Sequence, residues 1–462
     1  MTLAPIRWAA QSTKSPSPTV SSERLVNCYL DANPAGAKSA VTVYGDAGLK
    51  AWTTLAESPI RGMLLFGGVH LFVVAANSLY IVTEDKVAVN IGTIPGSGSV
   101  AMCANATHVA IATTVGLYAA TTTAIVQVDS NFYTSATYQD GYGIFTLADS
   151  EQIYISGLDD MTSINPLDFT SADTFPDKVR CSLSDHRELI VFGRETIEHF
   201  YNSGDAYFPF TRTPGAFVET GCAAGGTAAK QANRVFWLGN DRAVWAMAGY
   251  QPQRISTPGI EHAIRGLDGI EDATAFTYSL QGHEHYVLNF PRATFVFDIT
   301  TGLWRERESF GSSRWSAEKY VRAWNLDLVS DKETGDIYEL DLDTYDEDGD
   351  PLVRTMQSSP IHGAGVRLLM PWLYVDAEMG TVQDAGGEAW ADPRFMLSYS
   401  DDGGRTWSVE RRCSAGKTGE YTKRATWSRL GSFYQRTIRL SLSDPCRLAV
   451  NGAYAELEAY TR

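Results

Sequence analysis

The chain has 462 residues, of which 44% are hydrophobic, 20% charged and 11% aromatic. This composition is typical of a soluble globular protein, and the length predicts two or three domains because one core rarely grows beyond about 250–300 residues. The net charge of −16, from 38 basic and 54 acidic side chains, argues against a protein that grips nucleic acid or anionic lipid through clustered cations.

The chain is not expected to cross a membrane or to be secreted. Apolar runs such as "MLLFGGVHLFVVAA" are interrupted by Gly and His, so none is a span of about 20 apolar residues. The N-terminal stretch lacks a charged region followed by an apolar one, which a secretory signal needs. Six scattered cysteines without a C-x-x-C pair predict reduced thiols rather than a zinc site. They are Cys28, Cys103, Cys181, Cys222, Cys413 and Cys446.

Residues 1–55 are rich in Pro, Ser and Ala, as in "STKSPSPTVSSE", and have few apolar runs. They predict an extended arm that lies on other elements rather than folding alone.

Residues 56–355 predict a β-propeller of six or seven blades. Short β-branched or aromatic runs recur between tight-turn signals, as in "VHLFVVAANSLYIVTEDKVAVNIG" and "NRVFWLGNDRAVWAMAGYQPQRIST". The units return about every 30 to 45 residues, a period typical of propellers and solenoids. A helix is expected only at "GIEHAIRGL", where Ile260, Ala263, Ile264 and Leu267 share one face.

Residues 356–462 predict an antiparallel β-sandwich, because their longer runs alternate apolar and polar residues, as in "PRFMLSYSDDGGRTWSVERR". The same region contains S-x-D-x-G-x-x-W, the Asp-box pattern that recurs in sialidases. Its members are Ser400, Asp402, Gly404 and Trp407. Ser and Asp can bond turn backbone, Gly supplies positive φ and Trp packs on the hairpin, so all four roles are structural.

The acidic stretch "DLDTYDEDGD" resembles a calcium loop at first sight. The EF-hand requires Gly in the sixth position and Glu in the twelfth, where Pro351 and Gln357 stand when counting starts at Asp346. A solvated acidic turn is therefore expected, and it is also a candidate for a loop that lines or gates a channel. Its acids are Asp341, Asp343, Asp346, Asp348 and Asp350.

No catalytic or metal-binding constellation is apparent. His283 and His285 fall on one strand face without a third ligand, so edge or interface histidines are expected. The spacing of four other carboxylates selects no pair for glycoside hydrolysis. These are Glu195, Glu198, Glu219 and Glu261.

Taken together, segments along nearly the whole chain resemble one protein family. They include "SSERLVNCYLD", "RELIVFGRETIEHFYNSGDAYFPFTR", "FDITTGLWRERE" and "TKRATWSRLGSFYQRTIRLSLSDP". In their order and joint presence, they resemble the packaged-DNA stabilisation, or tail-nozzle, proteins of short-tailed bacteriophages.

The resemblance implies a structural virion tail component rather than an enzyme, with no cofactor or metal. Six copies would form a ring below the head-to-tail adaptor, extend the DNA channel and close it until ejection, after synthesis in the bacterial host cytoplasm. Tail fibres or spikes and a plug or needle protein are further candidate partners. Because acidic walls repel phosphates, double-stranded DNA is expected to pass through the lumen without specific binding. The alternatives are a sialidase-like propeller that binds or hydrolyses glycans and a host-cell propeller scaffold unrelated to phage.

Overall fold

A computed structural model describes residues 3–172, 177–205, 208–381 and 392–460. Seven four-stranded antiparallel meanders, here called blades and numbered along the chain, make up its larger part. Blade 1 consists of Ile60–Phe66, His70–Ala75, Ser78–Val82 and Ala88–Thr93, and blade 2 of Ala101–Ala104, Val109–Thr113, Gly116–Ala120 and Ile125–Asp129. Blade 3 consists of Tyr133–Gln139, Tyr142–Leu147, Gln152–Gly157 and Asp160–Ser171, and blade 4 of Val179–Asp185, Glu188–Gly193, Ile197–Asn202 and Phe210–Val218. Blade 5 consists of Ala229–Gln231, Arg234–Leu238, Val244–Ala248 and Gln251–Arg254. Blade 6 consists of Thr274–Leu280, His283–Phe290, Ala293–Asp298 and Leu303–Glu306. Blade 7 consists of Ala317–Ala323, Leu326–Asp331, Asp336–Asp341 and Gly48–Thr54.

The blades form a closed ring, so the predicted β-propeller is confirmed and has seven blades. The first strands of successive blades lie side by side, with the short 3-10 turn Gly225–Thr227 between blades 4 and 5. The first strand of blade 7 in turn contacts that of blade 1. Radial repetition of this kind leaves only short strand edges exposed.

An N-terminal strand completes the last blade. Gly48–Thr54 pairs antiparallel with Asp336–Asp341, with Leu49 opposite Leu340, and both leucines are buried. The strand lies before residue 56, where the sequence predicted the propeller to begin. Pairing across almost 300 residues leaves no local signal, and closing the ring buries Trp52 as well.

The C-terminal β-sandwich also incorporates N-terminal strands. Its first sheet has the order Cys28–Ala32, Val41–Gly45, Ala449–Glu456, Trp372–Ala377 and Ala425–Ser428, with Leu3–Ile6 also paired to Ala449–Glu456. Its second sheet has the order Arg354–Gln357, Gln435–Leu442, Arg394–Ser400 and Arg411–Ser414, with Ile361–His362 also paired to Gln435–Leu442. A small third sheet joins Ser432–Phe433, Leu368–Leu369 and Glu458–Ala459. The core between the sheets is apolar, with Leu373 and Ala453 facing Leu397 and Leu440.

One short strand joins the two domains. Leu25–Val26 pairs in parallel with Leu303–Glu306 of blade 6 and antiparallel with Arg354–Gln357 of the sandwich. A small hairpin, Asp346–Glu347 with Asp350–Pro351, lies beside the closing strand of blade 7. The residues predicted as an extended arm therefore contribute strands to both domains.

The predicted helix is confirmed as Pro258–Arg265. Thr257 caps it by accepting a hydrogen bond from the amide of Ile260, and Pro258 stands in the first turn, where its missing N–H costs nothing. Ile260 and Ile264 are buried against blades 5 and 6. A second 3-10 turn covers Ile270–Asp272. Within the described ranges, no helix has the length and apolar character needed to cross a membrane.

Candidate functional sites

The Asp-box loop, residues 400–407, makes the turn contacts that its pattern predicts. Ser400 Oγ donates to Asp402 Oδ1 at 2.7 Å and accepts from the Gly404 amide at 2.8 Å. Asp402 also accepts from the Thr406 hydroxyl at 2.6 Å and from the backbone amides of Arg405 and Thr406. These hydrogen bonds lower the pKa of Asp402 from its ordinary value. The carboxylate is thus a structural acceptor inside its own loop.

The same loop packs on the N-terminal segment. Gly403, at φ +77°, lies so close to the backbone of Pro18 and Thr19 that a Cβ there would stand 3.0 Å from it. Trp407 is covered on one face by the guanidinium of Arg439, 4.2 Å from the ring centroid. The loop, the N-terminal segment and the helix region border a cleft of about 520 Å³. The Asp box therefore serves as a contact between the sandwich and the N-terminal segment.

The acidic stretch lies at the outer edge of blade 7, next to the domain junction. Asp341 pairs with Lys50 at 3.8 Å and accepts from Thr344 Oγ1 at 2.9 Å, and Asp346 accepts weakly from the Gly349 amide at 3.4 Å. Asp343, Asp348 and Asp350 are exposed. Two of the five candidates thus stabilise turns and three face solvent. Among the described residues, no group of three or more His, Cys, Asp or Glu side chains is arranged to hold a metal ion.

A buried ionic cluster, which the sequence did not reveal, lies between the domains. Asp46 accepts from Arg305 Nη2 at 3.0 Å and from Nε at 3.1 Å, while Arg307 Nη1 stands 3.8 Å from Asp46. Arg307 also stacks on Trp315 at 3.9 Å and lies 3.7 Å from Glu347. Burial alone would lower the pKa of Arg305, but Asp46 raises it above its ordinary value. Burying such a cluster costs free energy of desolvation, and removing one of the charged partners costs more because it leaves the other charge buried and unpaired.

His283 and His285, which the sequence predicted at an edge or interface, flank this cluster and are buried. Their rings are stacked with centroids 6.0 Å apart. His283 Nδ1 lies 2.7 Å from Asp298 Oδ2, and His285 Nδ1 lies 3.4 Å from Arg305 Nη1. Burial, with Arg305 close by, holds the pKa of His285 well below its ordinary value. His285 is therefore a neutral acceptor at the junction.

The four carboxylates considered for glycoside hydrolysis have separate environments. Glu195 accepts from Asn240 at 2.9 Å, Glu198 pairs with Arg212 at 2.7 Å, and Glu261 accepts from Arg254 Nε at 2.6 Å. Glu219 is exposed. None of these contacts joins two of the four, so no acid and base pair is formed by them.

The charge of the chain is divided unevenly between its two parts. Residues 356–462 have 13 basic and 12 acidic side chains, which leaves 25 basic and 42 acidic ones in residues 1–355. Six basic side chains of the sandwich lie on or next to the neighbouring strands Arg411–Ser414 and Ala425–Ser428, and two of them, Arg412 and Lys423, pair with Glu410 and Glu420. We call this surface the basic strip; it consists of Arg411, Arg412, Lys417, Lys423, Arg424 and Arg429.

The basic strip is anchored and flanked by exposed apolar residues. Trp427 Nε1 donates to the carbonyl of Arg411 at 2.9 Å, and the Arg411 guanidinium returns a bond to the carbonyl of Ser428 at 2.7 Å. Val409 is 87% and Tyr421 69% exposed beside it. Exposed Tyr and Arg side chains around apolar contacts are characteristic of protein interfaces.

Two family models match the chain in succession. The first, described as bacteriophage P22 Gp10, beta-propeller, matches residues 25–345, and the second, described as bacteriophage P22 Gp10, beta-sandwich, matches residues 356–458. The chain belongs to the bacteriophage P22 Gp10 family. The P22 Gp10-like chain is thus a structural phage tail protein of a family involved in stabilising packaged DNA. No curated protein sequence matches it.

Three solved structures resemble this P22 Gp10 family member distantly. BamB from Moraxella catarrhalis is 9% identical with a TM-score of 0.43, over 73% of this chain and 97% of that one. PorZ of the type IX secretion system of Porphyromonas gingivalis is 10% identical with a TM-score of 0.41, over 70% and 44%. The extracellular domain of a one-component system from B. thetaiotaomicron is 8% identical with a TM-score of 0.45, over 91% and 62%. At these TM-scores, the similarity does not bear on function.

Proposed function

We propose that six copies of the chain form a ring-shaped tail nozzle below the head-to-tail adaptor. The ring extends the DNA channel, retains the packaged genome and later lets it leave. The chain is made and assembled in the host cytoplasm and functions in the virion tail. Membership of the P22 Gp10 family supports the tail role.

The observation that supports a ring is the uneven charge. A heterologous contact that closes after six steps joins two different surfaces of the same chain. The basic strip provides a cationic surface, and the rest of the chain carries 42 acidic against 25 basic side chains. When the basic strip of one copy meets an acidic surface of the next copy, the two surfaces attract each other. In an isologous dimer the basic strips would face each other and repel, so the charges favour a ring.

The acidic excess also bears on how DNA passes. Part of it lines the lumen in this proposal, so that the duplex slides without binding. Retention is then steric, through loops or through a plug or needle protein, and the exposed acids Asp343, Asp348 and Asp350 belong to one candidate gate. Fibres or spikes are further candidate partners on the outer surface.

A charge-reversal experiment tests the ring. The variant Lys417→Glu, Arg424→Glu, Arg429→Glu is expected to remain monomeric in light scattering where the unmodified chain, alone or with its adaptor, reaches the mass of about six copies. The control Lys86→Glu, Arg234→Glu, Arg242→Glu changes the net charge equally on exposed propeller residues. It should assemble like the unmodified chain.

Four outcomes would count against the proposal. An unmodified chain that stays monomeric even with the adaptor would exclude the ring, and a strip variant that assembles normally would exclude this contact. Images of virions labelled at the C-terminus should show six-fold density in the tail, and labels elsewhere would contradict the location. Turnover of fluorogenic glycosides, lost on replacing one carboxylate, would favour the glycan-hydrolysing alternative instead.

A further inference from the structure

A cavity of about 570 Å³ opens on one face of the propeller, where blades 6, 7 and 1 meet. Turns form its walls, and they lie at the end of each blade from which the first strand starts. Blade 1 contributes Arg61 and Asn77, the following loop contributes residues 96–99, and blades 6 and 7 contribute Asp272 and Lys332. The cavity thus collects side chains from parts of the chain far apart in sequence.

Arg61 is a buried cation without an acidic partner in this wall. It is 4% exposed, and it donates to the carbonyls of Gly98 at 2.7 Å, Ala76 at 2.9 Å and Ile94 at 3.1 Å. Its Nη2 atom is buried without a hydrogen-bond partner, and no described carboxylate lies within 4.0 Å of the guanidinium. Burial lowers the pKa of Arg61 from its ordinary value. Burying a charge without a counter-ion is costly, so the arrangement calls for an anion.

Gly96 packs directly against the unbonded nitrogen of Arg61. Gly96 has φ +112°, and a Cβ there would lie 3.2 Å from Arg61 Nη2 and 2.9 Å from Thr114 Oγ1. Any larger residue at this position would crowd Nη2 and strain the backbone. Gly96 therefore leaves Nη2 free of a side-chain contact at this point of the wall.

Other cations surround the cavity and outnumber the acids. Arg314 is held by Glu318 at 2.5 Å, and Lys319 donates to Ser99 Oγ at 2.8 Å. Lys332 also lines the cavity and has no ion pair among the described residues. Three cations, Arg61, Arg314 and Lys332, line the cavity against the two acids Asp272 and Glu318, while Lys319 lies outside the lining and bonds to Ser99 in the wall. The local charge is positive in a chain whose net charge is −16.

We infer that this cavity binds a phosphate-type oxyanion, either free phosphate or a phosphomonoester group on a small molecule. Arg61 Nη2 and Lys332 supply the charged donors, and the hydroxyls of Ser97 and Ser99 lie within the same wall. Charge-assisted bonds from Arg and Lys are the interactions that recognise such groups. The inference is independent of the proposed ring, because the site lies within one copy.

Calorimetric titration of the full chain tests the site with inorganic phosphate, a nucleoside 5′-monophosphate and chloride as probes. Phosphate or the monoester should bind and chloride should not, and Lys332→Glu should weaken binding at least about tenfold, as expected for loss of a charged donor. Tighter binding of the monoester than of free phosphate identifies the monoester as the ligand, and equal or weaker binding identifies free phosphate.

Variants keep the inference falsifiable. Arg61→Gln should remove binding, but it also loses three bonds to carbonyls, so its fold must be checked by circular dichroism. Lys332→Glu changes only a partly exposed side chain, and Arg234→Glu on blade 5 is the matched control that should bind like the unmodified chain. Absence of phosphate binding by the unmodified chain, or equal binding by a folded Lys332→Glu variant, would overturn the inference.

Discussion

Asp46 and Arg305 form a bidentate ion pair between the two domains, with Arg305 Nη2 and Nε 3.0 and 3.1 Å from the two carboxylate oxygens. Asp46 directly follows a sandwich strand and precedes the strand that closes blade 7, while Arg305 belongs to the last strand of blade 6. Both side chains are almost fully buried. The pair therefore fixes the position at which the chain passes from the sandwich into the propeller.

Replacing Asp46 by Asn should destabilise the chain by about 3–5 kcal/mol, because Arg305 and Arg307 would then lack their shared buried counter-ion. Urea unfolding followed by tryptophan fluorescence measures this change. Asp343→Asn removes the same charge at an exposed acid, and its free energy of unfolding should stay within about 0.5 kcal/mol of that of the unmodified chain. Equal stability of the two variants would mean that the cluster does not hold the junction.

His285 should make stability fall as the pH is lowered. Its folded pKa lies well below that of an unfolded histidine, about 6.5, so the unfolded chain binds more protons below that pH. The free energy of unfolding should therefore decrease from about pH 7 downwards, by up to about 1.4 kcal/mol per pH unit for this one group. Thermal unfolding between pH 5 and pH 8 measures the slope.

The variant His285→Gln keeps an acceptor for Arg305 but does not titrate. It should show a smaller loss of stability between pH 7 and pH 5 than the unmodified chain does. His262→Gln, at an exposed position of the helix, should leave the slope unchanged. If the free energy of unfolding of His285→Gln falls with decreasing pH as steeply as that of the unmodified chain, the histidine is not held neutral in the junction.

Trp407→Ala should weaken the sandwich and its contact with the N-terminal segment. The half-buried ring loses its stacking with Arg439, and the expected destabilisation is about 1–3 kcal/mol. Limited proteolysis should cut earlier near residues 18–22, which pack against this loop. Val409→Ala, at an 87% exposed neighbour, should change neither stability nor cleavage. An Asp box that tolerates Trp407→Ala without any change would have no structural role.

Leu49→Asp should open the propeller ring. The side chain is 1% exposed in the strand that closes blade 7, so a carboxylate there must either be buried unpaired or expel the strand. We expect protease cleavage between residues 48 and 54 and a loss of cooperative unfolding. Ala51→Asp, at an exposed position on the same strand, makes the same change of charge as Leu49→Asp; it serves as the control and should retain a closed ring. Resistance of Leu49→Asp to cleavage would show that closure does not depend on this strand.

The sequence predicted features that depend on local patterns. Alternating β-branched runs with turn signals every 30 to 45 residues or so predicted the propeller, and the spacing of Ile260 and Ile264 predicted the helix. The Asp box depends on local pattern as well, because its hydrogen bonds lie within a few residues. The gating role of the acidic residues stays a prediction.

Features that depend on distant partners were not predictable. Asp46 and Arg305 are 259 positions apart, and nothing near Asp46 indicates a buried partner. The burial of His283, predicted with His285 at an edge or interface, was not predictable in detail, because Tyr29 of the strand Cys28–Ala32, which packs on it, comes from elsewhere in the chain. Arg61 likewise sits in an ordinary strand pattern, and only the turns of other blades create the cavity beside it.

The strand that closes blade 7 can pair only late during synthesis of the chain. Thr54 and its partner Asp336 are 282 positions apart, so at about 5–20 residues per second the closing strand waits roughly 15–55 s for blade 7 to be translated. The strand Leu3–Ile6 waits longer still, for Ala453–Glu456. A chain cut short before residue 336 can complete neither pairing, and one cut short between residues 341 and 453 closes the propeller but leaves Leu3–Ile6 unpaired, so the fold distinguishes such truncated copies before assembly.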